Sequence, residues 1–393
     1  MTFLRWALLT RVQDGASSLS LTRSVQRNCV GKRRSSTRLF ASVSKETDTD
    51  SDLQVEPLLH PDQFGEIKLP GALSPSAVLE FKKCPQSFLF QYLYKLKQPR
   101  SLALAKGSMC HEALEKVFDL DPDDRTLEHL QNLLRVSWGQ QRLTEDYAPL
   151  FEDENGVRDL SREKEWGESA LQLLENYYRV EDPRRVVRPN PLRREIWMHA
   201  HLTKDPNLGR TARDYQTDSE EEGEEDIRKE DKFYVRGIID RLDMVRIPRS
   251  RDVVLKIVDY KTGKAPDLKY SRPVNERIVE ESFYQLKVYA LLFREKGAGK
   301  QVRGNMKLRY LQLLYLNSDS GDAKPWEYDL GETEEQRDMV LNEVHQDLAN
   351  VWKTINELVA QQDPKAFVGC EKSFCYCHKC RDRFVDGTVW EPN

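Results

Sequence analysis

The run from Val253 to Gly263, VVLKIVDYKTG, ends in an acid and a lysine two residues apart. Side chains alternate across a strand, so Asp259 and Lys261 share a face with Val253, Leu255 and Ile257 and emerge together from a buried strand. Taken alone, Asp-x-Lys after an apolar run marks a solvated strand end. The preceding segment, Val235 to Val245 (VRGIIDRLDMV), changes that reading, because a hairpin of the two brings Asp240 beside Asp259. Two carboxylates about 4 Å apart repel by about 1 kcal/mol in water but by about 4 kcal/mol at an effective dielectric of ~20. A partly buried pair therefore asks for a cation. Hard oxygen ligands suit Mg²⁺ or Mn²⁺, which keep waters that can be activated. His111, in Lys106-Gly107-Ser108-Met109-Cys110-His111-Glu112, is expected as the third ligand. Gly107 lies one turn before it on the same helical face and leaves space above the imidazole. A lone helical histidine is more often structural, and its value here comes from its company.

The elements that must position these residues follow from pattern and punctuation. Ser74-Pro75 opens a helix with a cap residue and a proline at the first helical position. Pro85 interrupts it, which predicts short helices at 75–83 and 85–96 with Cys84 at their junction and Phe88, Tyr92 and Leu96 on one face. A third helix is expected over 107–118, where Cys110, Leu114 and Val117 recur at helical spacing. Residues 127–178 read as helical. Segments 195–202, 233–245, 253–260 and 308–316 read as strands, with helices over 281–293 and 333–361. The expected fold class is α/β, a mixed central sheet flanked by helices, with helical insertions.

Taken together, the motifs carry a family resemblance. The order Gly107-x-x-x-His111, Gly237-Ile238-Ile239-Asp240-Arg241-Leu242-Asp243, Asp259-Tyr260-Lys261-Thr262-Gly263, then Gln285-x-x-x-Tyr289 resembles the RecB-like nuclease domain of the PD-(D/E)XK superfamily, including its AddB-type and CRISPR-associated branches. Leu73-Ser74-Pro75-Ser76, Cys84-Pro85 and Phe88 are similar to that family's N-terminal motif, and the resemblance spans about residues 73–380. It implies a restriction-endonuclease-like core in which His111, Asp240 and Asp259 bind the metal, and Lys261 positions the attacking water or stabilises charge in the transition state. Gln285 and Tyr289, four apart on one helical face, would complete the site. Glu195 is a poorer match and reads as a surface acid, and Asp243 is expected to pair with Arg241. Phosphodiester hydrolysis needs an activated water and neutralisation of the transition state, which a divalent ion and one lysine provide without a nucleophilic serine or cysteine. The function implied is DNA cleavage in recombination or repair. A catalytically inactive nucleic-acid-binding scaffold is the alternative, and it has no need of all four of His111, Asp240, Asp259 and Lys261.

Seven cysteines divide unevenly: Cys29, Cys84 and Cys110 stand apart, while Cys370, Cys375, Cys377 and Cys380 crowd into eleven residues. Clustering favours a metal over a disulfide framework. Four thiolates can hold zinc in a closed tetrahedron or an iron-sulfur cluster. The family resemblance implies a 4Fe-4S cluster that ties an early cysteine, here Cys84, to three late ones. Cys375, Cys377 and Cys380 are the expected late ligands, with Cys370 as an alternative. The late spacing departs from the family's usual arrangement, and zinc bound by the late cysteines alone is the other reading.

The net charge of −4 conceals its distribution. Ser219 to Asp231 (SEEEGEEDIRKED) carries eight acids against two bases, and without it the chain is positive by two. Such a run, within an insertion over 204–231, reads as a solvated loop. Residues 1–44 hold eight Arg/Lys, eight serines and one acid, Asp14, the composition of an organellar transit peptide, followed by a linker over 45–72 and one domain over 73–393. Ser36-Thr37-Arg38-Leu39-Phe40-Ala41 resembles the end of plastid-targeting leaders, which favours a plastid, with a mitochondrion as alternative. No apolar run approaches the ~20 residues that cross a bilayer, so no membrane partner is expected. Gly297-Ala298-Gly299-Lys300-Gln301 lacks the first glycine and the Ser/Thr of a phosphate loop, so a helicase or other repair protein would have to supply any motor.

Overall fold

The computed structural model describes residues 58–96, 98–189, 195–205, 232–296, 306–317, 323–385 and 390. The basic leader, the linker to residue 57, the stretch from 206 to 231 and the glycine-rich segment 297–301 lie outside the described residues.

Helix α1 (Pro75–Lys83) begins where Ser74 Oγ accepts from Ala77 N at 3.2 Å, with Pro75 in the first turn. Cys84 ends it and caps α2 (Pro85–Phe88), its Sγ accepting from Ser87 N at 3.4 Å. The chain then passes into a π turn, Leu89–Leu93, so the helix expected to reach residue 96 stops earlier. Phe88 still stacks on Tyr92, with centroids 5.3 Å apart. Helix α3 (Leu102–Lys116) starts ahead of the expected Gly107 because Ser101 caps it, accepting from Leu104 N at 3.2 Å. The helical middle is two helices, α4 (Leu127–Gln141) and α5 (Leu160–Val180).

The strands are β1 (Ile196–Thr203), β2 (Lys232–Ile239), β3 (Arg241–Arg246), β4 (Val253–Lys264), β5 (Leu308–Asn317) and β6 (Lys324–Asp329). Strands β3-β4-β5-β6 form a mixed sheet in that order, with β4 and β5 parallel and the outer pairs antiparallel. Strands β1 and β2 form a separate antiparallel ribbon. The single strand expected over 233–245 is thus two strands in two sheets, broken at Asp240. That break frees Asp240 from either ladder at the sheet's end, with Arg241 opposite Val258 in β4.

Burial on both faces makes β4 a near-continuous apolar run. Leu255 and Ile257 join one cluster with Phe283, Leu286, Ala290 and Leu291 of α6 (Arg272–Lys296) and with Leu348 and Ile355 of α7 (Glu334–Ala360). Val258 and Tyr260 join the other, with Met109 and Ala113 of α3, Leu130 of α4 and Leu174 of α5. The result is an α/β architecture with helices on both faces of a mixed sheet, and Asp259 opens on the α6 side. A short helix, α8 (Tyr376–Arg381), closes the chain against the N-terminal region. There Leu59 N donates to Arg383 O at 2.7 Å and Tyr376 Oη to Leu96 O at 3.2 Å.

Candidate active site and cysteine centre

Asp259, nearly fully buried, lies at the end of β4, and Lys261 Nζ stands 2.7 Å from its Oδ2. Lys261 Nζ also donates to Gln285 Oε1 at 3.0 Å, and Gln285 Nε2 donates to Tyr289 Oη at 2.7 Å. One face of α6 therefore holds the ammonium beside the carboxylate. Across the strand break, Asp240 Oδ2 lies 3.2 Å from His111 Nδ1 and accepts from Tyr260 N at 3.2 Å. The structure thus joins the six residues as two neighbouring groups, His111 with Asp240 and Asp259 with Lys261, Gln285 and Tyr289.

Their electrostatics are coupled. Burial pushes the Asp259 carboxyl up, the charge of Asp240 pushes it further, and Lys261 and His111 offset part of this, leaving it at about 6. Burial acts to lower the His111 pKa, but its hydrogen bond to Asp240 and the charges of Asp240 and Asp259 outweigh that and raise it. Two carboxylates compete for too little positive charge, as a cation site requires.

Of two glycines beside the site, close approach demands one. A Cβ on Gly107 would lie 3.4 Å from Thr262 Oγ1, so α3 reaches the end of β4 closely enough to present His111. A Cβ on Gly237 would fall 2.4 Å from Tyr289 Cε1, the middle of a ring that is 6% exposed and has no room to swing. Gly237→Ala should cost about 1–3 kcal/mol of stability by overpacking and should displace Tyr289 from Gln285. Urea denaturation checks this, and an unchanged midpoint with an unchanged slope would refute it.

Sequence reasoning missed the support behind the site. Arg241, 1% exposed, makes a bidentate pair with Glu181 (2.6 and 2.8 Å), reaches Asp243 at 2.9 Å, and donates to Tyr260 Oη at 2.6 Å. Tyr260 meets the His111 ring edge-on, with centroids 5.9 Å apart. This buried cluster ties β3 to β4 on the face opposite Asp259. The expected Asp243–Arg241 pair is part of it, but nothing in the sequence marks Glu181, at the end of α5, as the main partner. Glu195 lines an open cleft beside the site with Gly107, Ser108, His111, Glu112 and Glu115. Burial and the charges of Glu115 and Asp240 raise its pKa.

The second centre is made of thiols. Cys84, Cys370, Cys375 and Cys377 bring their sulfurs within 4.8 Å of one another. Cys370 takes the place expected for Cys380, whose side chain is buried on α8 outside this group. The reason is the turn ahead of α8: His378 Nε2 bonds to Cys370 O at 2.7 Å and folds residue 370 back over the helix start. A Cβ on Gly369 would lie 2.0 Å from Arg381 Nη2, so a side chain there would displace the Arg381 guanidinium. Arg381 Nε donates to Gln86 Oε1 at 2.6 Å, which holds α8 against the segment carrying Cys84. The hydrogen bond from Cys377 holds the Cys84 thiol well below its usual range, while the same bond, with burial, pushes the Cys377 thiol up, so the two titrate as a pair. Cys110 is separate, buried on α3 with its Sγ 3.8 Å from Ala170 O.

Paired carboxylates with a lysine at a strand end, on an α/β core, are the equipment of an enzyme that cleaves phosphodiesters. The family model for the PD-(D/E)XK nuclease superfamily matches residues 72–383, and the chain belongs to that superfamily. Its members are nucleases that typically use divalent metals. No curated protein matches the chain.

Proposed function

We propose that the chain is a metal-dependent deoxyribonuclease of the RecB-like branch that acts in organellar DNA recombination or repair. The observation that carries this reading is the convergence of His111–Asp240 and Asp259–Lys261–Gln285–Tyr289 at one end of the sheet. Asp240, Asp259 and His111 would hold a Mg²⁺ or Mn²⁺ ion, which when bound activates water and neutralises phosphate charge. Lys261 has a donor free to turn toward a phosphate oxygen or the attacking water, while Gln285 and Asp259 keep it from wandering. Gln285 is itself oriented by Tyr289, so the ammonium is positioned before substrate arrives. The test is incubation of the protein with end-labelled single- and double-stranded DNA, with Mg²⁺ or with chelator. Cleavage dependent on the cation is expected, and inertness toward both substrates in Mg²⁺ and Mn²⁺ would overturn the reading.

The leader composition supports delivery to an organelle, and the resemblance of residues 36–41 to the end of plastid-targeting leaders favours a plastid over a mitochondrion. A fusion of residues 1–50 to a fluorescent protein should locate to the organelle, and a diffuse cytosolic signal would sink that address.

The thiol group fits a structural metal. Zn–S bonds of about 2.3 Å in a tetrahedron place sulfurs about 3.8 Å apart, and four sulfurs within 4.8 Å are close to that. A 4Fe-4S cluster interposes iron at each corner and needs the sulfurs to spread. The spacing favours one zinc ion held by Cys84, Cys370, Cys375 and Cys377, while the family resemblance favours the cluster at the same four thiols.

A further inference from the structure

Between β4 and α6 the chain runs through Ala265-Pro266-Asp267-Leu268-Lys269-Tyr270-Ser271, beginning four residues beyond Lys261 at the end of the catalytic strand. This loop is short of buried side chains, yet it is fixed. Ala265 packs against the main core at its start. At its end the Asn275 side chain makes three bonds to the loop backbone: Oδ1 accepts from Tyr270 N at 3.2 Å, and Nδ2 donates to Tyr270 O at 2.9 Å and Leu268 O at 3.0 Å. So stapled, the loop turns its largest apolar groups outward, with Tyr270 53% and Leu268 44% exposed. A fixed loop that spends its hydrogen bonds on presenting an aromatic ring and a leucine to water is built for a ligand with flat apolar faces.

The charge around it identifies that ligand. Lys269, Arg272 and Lys324 are exposed, and among the described residues Asp267 pairs with Lys269 and Glu276 with Arg272. Lys269 Nζ donates to Asp267 Oδ2 at 2.7 Å within the loop itself. Lys324 is tied to the catalytic strand by register. Lys261 stands opposite Tyr315 in β5, and Tyr315 stands opposite Lys324 in β6. Residues in register share a face, so Lys324 and Lys261 lie on one row of the sheet, two strand spacings or about 10 Å apart. A second cation on the row of the catalytic lysine, beside an outward-facing ring, matches a backbone of phosphates with unstacked bases.

We propose that the Asn275-stapled loop, with Tyr270 and Leu268, is a base-stacking platform for single-stranded DNA, and that Lys324 holds a phosphate next to the one that meets Lys261. The proposal rests on the nuclease reading for its substrate and adds a surface that reads strandedness: bases paired in a duplex have no free faces to offer Tyr270. Stacking of one base on an aromatic side chain contributes about 1–3 kcal/mol, or roughly 5- to 150-fold in affinity.

The experiment measures binding of a labelled oligothymidine, and of a blunt duplex, to the full chain in chelator, where binding is read apart from cleavage. Tyr270→Ala should weaken oligothymidine binding at least about fivefold and leave duplex binding within about twofold. Tyr270→Trp should restore it, and 2-aminopurine in the oligonucleotide should be quenched by the native chain and by the tryptophan variant but not by Tyr270→Ala. Because Tyr270 is exposed, these variants keep the core. Asn275→Ala should give an intermediate loss, since the ring remains but is no longer fixed. Unchanged oligothymidine binding in Tyr270→Ala, or an equal loss for single strand and duplex, overturns the platform. Cleavage by the native chain is followed in parallel with Mg²⁺: if it is absent while the Tyr270→Ala defect is present, the platform stands and the nuclease reading falls.

Discussion

Replacing Lys261 with alanine is expected to lower the rate of Mg²⁺-dependent DNA cleavage by about 10²–10³-fold, with a much smaller change in the affinity for DNA. The ammonium is one-third exposed and touches Asp259 and Gln285, so its removal leaves no cavity in the core and strips charge from the place where the transition state gains it. Asp259→Asn should cost at least as much by a different route. It keeps the shape of the side chain but removes a negative charge from the carboxylate pair, so weaker binding of Mn²⁺ should accompany the loss. Gln285→Ala should fall between the native rate and that of Lys261→Ala, because it loosens the ammonium without deleting it. Single-turnover cleavage of end-labelled DNA measures the chemistry, and thermal melting confirms that each variant is folded. Cation-dependent cleavage at native rate in Lys261→Ala would falsify the assignment of the site.

The second large effect concerns the thiols. Purified protein is expected to contain one zinc per chain, and Cys84→Ala and Cys370→Ala should each lose it, whereas Cys380→Ala and Cys110→Ala should keep it. Metal bound by groups far apart in the chain is folding energy, worth about 10–16 kcal/mol in zinc-finger peptides. Here the ion would fasten the segment after α7 to the junction of α1 and α2, beside the bond from Arg381 to Gln86 and the stacked rings of Phe64 and Tyr94. Loss of the ion should lower the melting temperature by roughly 10 °C and open the C-terminal segment to protease. Elemental analysis and limited proteolysis read both consequences. Iron in place of zinc, with a brown colour and broad visible absorption, would instead assign a 4Fe-4S cluster to the same four cysteines. Zinc that survives Cys84→Ala would remove Cys84 from the site altogether.

Neither test depends on the other. The catalytic strand opens on α6, while the thiols gather where α8 meets α2, so a failure at one centre leaves the other standing.

Much of this molecule was legible in its sequence because the governing forces are local. The alternation in VVLKIVDYKTG dictates a strand buried on both faces with Asp259 and Lys261 on one side, and Ser74-Pro75 and Thr333 mark helix starts through side-chain caps that act within one turn. The order of the motifs points to the superfamily, and a spacing of four places Gln285 and Tyr289 on one helical face whatever surrounds them. Tertiary structure settled what depends on groups meeting across the chain. It broke the strand at Asp240, because Arg241 turns inward to Glu181, sixty residues earlier, and no local pattern encodes that partner. It selected Cys370 over Cys380 as the companion of Cys84, where a bond from His378 to Cys370 O holds the turn back, whereas spacing alone cannot tell which thiols converge. It also set Lys324 on the same row as Lys261 through two strand registers. Periodicity fixes the face a side chain takes on its own element, but which elements lie side by side is decided by burial of their faces together, and that is a property of the packed core.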